Sequence, residues 1–314
     1  MSPFPALLGI GTILLAATAL AQSPPHGDAP ADTAAVFDPG GHFAVYAADG
    51  RPTDLDAVVA ALGGADVVFL GEIHNDPTAH ALQRRLLEAA HRRYGAQRPV
   101  ALALEMFERD VQLVLDEYLA GLVRERDFLE AARPWSSYAT DYRPAVEYAK
   151  AHGLPVIAAN APARYVSRVG REGLAGLDAL PEAARAFLAP LPLAPPSDPL
   201  AARFEEQMAE MMEAHGAHGP SMEDLLAAQN LRDATMAFSV AEHLERAPGA
   251  LVVHLNGAFH SEGGLGVPEH LARYAPGART LVVTFRPTGD LTEAPAPGAD
   301  AFVILTDRAA IPAR

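Results

Sequence analysis

At 314 residues, half of them hydrophobic, the chain is long enough to bury the core of one large or two modest domains. Its formal net charge of -15 argues against nucleic acid and anionic membrane surfaces as partners. The absence of cysteine excludes disulfides, thiolate metal sites, thioether haem attachment and the acylation that anchors bacterial lipoproteins.

The run from Ala6 to Ala21 is apolar, rich in Leu and Ala, and ends in Ala19-Leu20-Ala21-Gln22. This small-x-small pattern predicts a secretory signal peptide over residues 1–21, although no Lys or Arg precedes the apolar run. A retained anchor helix is the alternative, but the run is short for a bilayer span. Residues 22–36, rich in Pro, Gly, Asp and Ala, read as a flexible leader. Residues 37–314 are expected to form one α/β domain. No later stretch is long and apolar enough to span a membrane, so the expected location is periplasmic or secreted.

His42-Phe43-Ala44-Val45-Tyr46, ended by Asp49-Gly50, predicts a small strand and turn at a sheet edge. Asp54 can cap a helix through Leu62, stopped by Gly63-Gly64. Val67-Val68-Phe69-Leu70-Gly71-Glu72-Ile73-His74 reads as a buried central parallel strand that runs into a glycine, an acid and a histidine. A helix follows from Asp76-Pro77 to Tyr94, and Gly95 ends it. Val100 to Leu104 is a second buried strand, running into Glu105-Met106-Phe107. Helices are expected over Arg109–Leu122 and Glu125–Arg133, then a loop holding Trp135, then a helix to Ala151.

Leu154 to Ala159 is a third strand, ending at Asn160. Strands that alternate with helices and each run into a polar residue (Glu72, Glu105, Asn160) are a βαβ signature. From about Gly170 to Gln229 the chain reads as a helical insertion. It includes a Met- and Glu-rich helix over Ala201–His215 and the start of a long helix that Ser221 caps and that runs towards Arg246. Leu251–Leu255, Thr280–Phe285 and Ala301–Leu305 are further strands. The expected fold is α/β, a mainly parallel sheet flanked by helices.

In an open α/β sheet, chemistry collects beyond the carboxyl ends of the strands. Glu72, His74, Glu105, Asn160 and His260 are expected there. The i, i+2 spacing of Glu72 and His74 puts both side chains on one side of an extended chain. Acid and imidazole groups suit a divalent metal or general acid–base work. The plainer reading is that each satisfies backbone groups locally; the recurrence at equivalent strand ends favours a site. His80 can point back at His74 or lie exposed. Met208, Met211, Met212 and His215 share a helix face, and with His218 they offer thioether and imidazole donors suited to copper or haem iron; core filling is the alternative. Trp135, Tyr138, Tyr142 and Arg143 suit a flat anionic ligand, since Arg pairs with carboxylates and Tyr can ligate haem iron.

Several of these stretches carry a resemblance. Gly71-Glu72-x-His74, Glu105-Met106-Phe107, Pro134-Trp135 to Asp141-Tyr142-Arg143-Pro144, and Pro155 to Asn160 are similar to the ChaN-like haem-binding family. So are Gln229-x3-Asp233-x2-Met236-Ala237 and Asn256-Gly257-x2-His260 with Gly266-Val267-Pro268. The match runs from about Val67 to Tyr274. The wider superfamily includes the Tiki metalloproteases and the erythromycin esterases. The resemblance implies an exported bacterial protein of iron or haem uptake, an α/β core with a helical part, and a dimer able to bury a pair of stacked haems. Some relatives are lipoproteins, and this chain departs from them in having no cysteine.

Two functions are expected from this. In the first, haem sits against the helical insertion, with His215 or His218, or else Tyr138 or Tyr142, on the iron. In the second, Glu72, His74, Glu105 and His260 bind a divalent metal or act directly as a hydrolase on an ester or peptide.

Overall fold

The computed structural model describes residues 39–215 and 221–310. The expected signal peptide, the leader and His218 lie outside the described residues. In chain order the elements are β1 (Phe43–Ala47), β2 (Pro52–Thr53), α1 (Leu55–Leu62), β3 (Val67–Glu72), α2 (Pro77–Tyr94) and β4 (Val100–Glu108). Then come α3 (Gln112–Leu119), α4 (Glu125–Ala132), α5 (Tyr138–Asp141), α6 (Arg143–His152), β5 (Val156–Asn160), α7 (Ala163–Glu172) and α8 (Glu182–Arg185). The chain continues with α9 (Asp198–His215), α10 (Met222–Arg246), β6 (Leu251–Gly257), α11 (Val267–Tyr274), β7 (Thr280–Thr288) and β8 (Phe302–Asp307).

The strands form an 8-stranded sheet in the order β2-β1-β8-β7-β3-β6-β4-β5. Among the described residues only β1 pairs antiparallel, with β2 and β8, and it does so at the edge; β8 through β5 run parallel. The mainly parallel α/β fold read from the alternating elements is the one observed. The run read as central, β3, lies between β6 and β7 and is buried along its length.

The helix starts follow their caps. Asp54 accepts the Ala57 N–H at α1. Asp76 accepts from Thr78 and Ala79 at α2, and Pro77 stands where no N–H is needed. Ser221 accepts the Asp224 N–H at α10. Each such cap is worth about 1 kcal/mol. Asp76 also takes the Thr306 hydroxyl, which ties the start of α2 to β8.

Alternating strand residues divide the core between the two faces of the sheet. Val68, Leu70, Leu102, Leu104 and Ala158 pack with Leu82, Leu86, Leu115, Phe128 and Val146 from the layer of α2, α3, α4 and α6. Val67, Phe69, Ala101, Ala103 and Ile157 pack with Met236, Ala237 and Val240 of α10 and with Val267 and Leu271 of α11. α7 is held to α10 by a separate cluster that includes Val166, Val169 and Leu231.

Three details differ from the reading of the sequence. β4 continues to Glu108, but its ladder with β6 ends at Leu104 and its register with β5 shifts between Leu104 and Glu108. The Trp135 segment contains the one-turn helix α5. The short strand β2 pairs with β1 at the edge.

Candidate functional site

Glu72 ends β3, and Glu105 stands just past the end of the β4–β6 ladder, with β6 between the two strands, yet their side chains leave the sheet on opposite faces. Glu72 follows Val68 and Leu70 on the face covered by α2 and α6. Glu105 follows Ala101 and Ala103 on the face covered by α10. Each buried carboxylate meets an imidazole.

On the first face, His74 Nδ1 donates to Glu72 Oε1 at 3.0 Å. The same oxygen takes the Tyr142 hydroxyl, and His80 Nδ1 lies 3.0 Å from Glu72 Oε2. His80 Nε2 reaches back to the His74 carbonyl at 3.1 Å, so α2 aims this histidine at the strand end and buries it. Burial favours the neutral form of Glu72, but the His80 charge and the His74 hydrogen bond outweigh it and hold Glu72 down at about 2. For His80, burial favours the neutral ring, and the Glu72 carboxylate overcomes this, raising it to about 9. Tyr142 is pushed far up by burial and by the Glu72 charge, so it remains a donor.

On the second face, the β4–β6 ladder has ended, and a side chain takes its place: Glu105 Oε2 accepts the Gly257 N–H at 2.7 Å. Glu105 Oε1 lies 3.1 Å from His260 Nε2. The other ring nitrogen, Nδ1, is bonded to Asp233 Oδ1 on α10, and the Gln229 amide packs against the ring. A single 3₁₀ turn, Ala258–His260, carries His260 back over the sheet. Burial alone would neutralise this ring. The Glu105 and Asp233 charges instead raise it to about 10, and Glu105 is held well below the usual carboxylate range, its burial outweighed by His260.

His74 joins the two halves. Its side chain is 44% exposed, and its ring meets Trp135 edge-on at 4.6 Å between centroids. Burial acts to lower its pKa, but the Glu72 hydrogen bond and the charges of Glu105 and Glu72 raise it. The ring lies against Gly257: a Cβ there would stand 2.9 Å from His74 Cε1 and 3.2 Å from Nε2.

Above this rim is a cleft of about 390 Å³, bounded by His74, His260, Gly257 and Phe259 below, by Phe204, Gln207 and Met208 of α9, and by Val166, Leu225, Ala228, Gln229 and Arg232. α9 is seated here by Arg203, which donates to the Phe259 and Glu262 carbonyls at 2.6 and 2.7 Å. Phe204 packs edge-on against Phe259, and burying it contributes roughly 1.5–3 kcal/mol. The cleft is mostly apolar, with few polar groups, which is how cofactor pockets are built. Arg232 makes no ion pair with a described residue.

The structure thus brings Glu72, His74, Glu105 and His260 to one rim, and Met208 to the cleft above it. Other expected site residues lie elsewhere. Tyr138 is buried between Phe107 and Phe128, and its hydroxyl has no partner among the described residues. Tyr142 is buried behind Glu72, and Arg143 is paired with Glu125 at the α4–α6 contact. Asn160 is buried at the end of β5. His215 ends α9, but its side chain, like those of Met211 and Met212, is outside the described residues. Asp233, Gln229, Phe204 and Arg232 were not singled out as site residues from the sequence. The i, i+4 pair Gln229/Asp233 was visible, but not its target. Among the described residues, no group of three or more His, Asp or Glu side chains is arranged to hold a metal ion. Chemically, the rim pairs Glu72 with His74 and Glu105 with His260, and of these two rings only His74 has a nitrogen that makes no hydrogen bond with a described residue.

Comparison with known proteins agrees with this architecture. A family profile described as haem-binding uptake, Tiki superfamily, ChaN, matches residues 58–271. The fold is similar to the structure of cofacial haem binding to ChaN of Campylobacter jejuni, with a TM-score of 0.63 and 17% identity, over 85% of this chain and 98% of that one. A mutant of the erythromycin esterase EreC in its open conformation is more distant, with a TM-score of 0.45 and 13% identity over 84% of this chain and 83% of that one. Among curated proteins, RETICULATA-RELATED 5, chloroplastic, of Arabidopsis thaliana is 25% identical over 237 residues, 71% of this chain. The chain spans 31% of that relative's length.

Proposed function

The chain belongs to the ChaN family of haem-binding uptake proteins in the Tiki superfamily, and from this we propose that it is an exported haem carrier of bacterial iron acquisition. The cleft beneath α9 is the proposed seat. The observation that carries the reading is its lining: Phe204, Met208, Leu225 and Phe259 offer aromatic, thioether and aliphatic surface to a porphyrin, and imidazoles stand at its floor. Arg232 suits a propionate, because a guanidinium matches a carboxylate in shape and charge. At about 390 Å³ the cleft is near the lower end of pockets that enclose a ligand. It would leave part of a porphyrin open to a second copy of the chain, which is why a haem-bridged homodimer is part of the proposal. No helix among the described residues is long and apolar enough to cross a membrane.

Titration of the purified protein with hemin is expected to shift and sharpen the Soret band at one haem per chain. The shift weakens in an Arg232→Glu variant, and also in a His215→Ala/His218→Ala variant if the end of α9 supplies a ligand. A spectrum indistinguishable from free hemin overturns the reading. Ester or peptide turnover without haem binding, lost in His260→Ala, would favour the hydrolase instead. Against the hydrolase stands the engagement of both His260 ring nitrogens by carboxylates, which leaves that ring no lone pair to act as a base.

A further inference from the structure

The end of the molecule away from the rim carries another pair of imidazoles. α2 follows the carboxyl end of β3 and α6 leads into β5, so both helices finish beside the amino ends of the strands. His91 stands in the last turn of α2, and His152 closes α6. Their ring centres are 5.3 Å apart, with 73° between the planes. Two imidazoles that share one tetrahedral ion, each at about 2.0–2.1 Å, have their centres roughly 5 Å apart. The two rings already stand at that spacing.

Their other atoms are arranged to suit. His152 Nδ1 donates to the Tyr148 carbonyl at 2.8 Å. That bond fixes the tautomer and leaves the lone pair on Nε2. His91 Nδ1 lies 2.9 Å from the Tyr148 hydroxyl, whose oxygen can accept a proton from it in the same way. The Tyr148 ring stacks on His152 at 4.1 Å and holds it in place. Neither Nε2 makes a hydrogen bond with a described residue. A Cβ on Gly95 would stand 2.7 Å from His91 Cδ2 and 3.3 Å from Nε2, so the glycine leaves that edge of the ring open. His152 is exposed and His91 half-buried, which gives an ion access from solvent. The carbonyls at the two helix ends add negative partial charge. The cations on the same turns are engaged: Arg92 pairs with Glu88 at 3.3 Å, Arg93 lies over the Tyr94 ring, and Lys150 rests 3.5 Å over the Tyr118 ring.

We propose that His91 and His152 form a surface site for a borderline transition-metal ion, Cu(II) above all, bound through both Nε2 atoms with water in the remaining positions. Imidazole suits copper, nickel and zinc, and copper heads the divalent series in affinity. The site is separate from the cleft under α9 and does not depend on the haem reading.

The test uses the full chain, purified without a histidine tag and titrated with Cu(II). The electron paramagnetic resonance spectrum of the wild type should show splitting from two imidazole nitrogens. His91→Ala and His152→Ala should each bind this ion at least about 10-fold more weakly, since loss of even an outer partner costs that much at a metal site. The double variant should take up one Cu(II) fewer per chain than wild type, whatever the other histidines hold, with its hemin titration unchanged. Circular dichroism checks the fold, and the exposed His152→Ala variant carries the test if the double variant does not fold. Copper uptake and a copper spectrum equal to wild type in a folded variant overturn the assignment. A wild-type chain that binds copper here but ignores hemin overturns the haem reading alone.

Discussion

Replacing Gly257 with alanine tests the rim with little disturbance elsewhere. Its backbone, at φ -61° and ψ 138°, is open to any residue, so the effect is steric. The new Cβ would lie 2.9 Å from His74 Cε1, whereas carbon atoms prefer about 3.5–4.0 Å. The ring must therefore retreat by roughly 0.6 Å or more. Such a retreat stretches the 3.0 Å Nδ1–Glu72 contact to about the distance at which it stops being a hydrogen bond. A charge-assisted bond is worth roughly 1.5–3 kcal/mol, and the low end applies because water reaches this half-exposed ring. Alanine returns about 0.4–1 kcal/mol by restricting the unfolded chain. The net is a loss of about 1 kcal/mol, or about 2–4 °C in melting temperature. On the haem-carrier reading, hemin affinity should fall by about fivefold, the same ~1 kcal/mol expressed as an affinity ratio, because the displaced ring lies on the floor of the cleft. Calorimetry and hemin titration on the same preparation check both numbers. Wild-type affinity in a folded Gly257→Ala protein would refute the reasoning.

The first-face network sets a pH dependence. His80 is raised from 6.5 to about 9, so its contribution to stability is complete below about pH 6.5 and is lost as pH rises through about 9. Glu72 is lowered from 4.5 to about 2, so its contribution is complete above about pH 4.5 and fades as pH falls towards 2. Melting curves should show wild-type stability declining from pH 6.5 to 9, with a flatter profile in His80→Gln; parallel profiles would contradict the assigned charge on His80. On the second face, Asp233→Ala leaves a buried imidazole with one carboxylate fewer, and urea unfolding should show a loss of about 3–5 kcal/mol. A loss under about 1 kcal/mol would mean that Asp233 does not hold His260.

Much of the scaffold was legible in the residues because local signals agreed with one another. The short apolar runs ending in Glu72, Glu105 and Asn160, and the caps at Asp54, Asp76 and Ser221, report on chemistry within a few residues. The pairing of Glu72 with His74 follows from strand geometry in the same way. What could not be read depends on how distant elements cross. Asp233 meets His260 only because α10 lies over the end of β6. The extra length of β4 depends on where its partner stops pairing, since the Glu105 side chain there replaces a backbone acceptor. Tyr138 and Tyr142 advertise themselves as ligand donors in sequence, but the packing of α5 and α6 turns both rings into the layer behind Glu72. Nothing local in the chain distinguishes that from an outward-facing pair.

Because Glu72 and Glu105 lean to opposite sides of a single sheet, each helical layer controls one carboxylate, and His74 stands where both influences meet. A slip of α6 or α2 would disturb the tyrosine and histidine behind Glu72 and leave His260 in register. A slip of α10 would release His260 and leave Glu72 braced. The rim therefore works as a gauge of whether both halves of the core are in place at once. On the haem-carrier reading, partial unfolding of either layer should weaken hemin binding before the remaining half has melted.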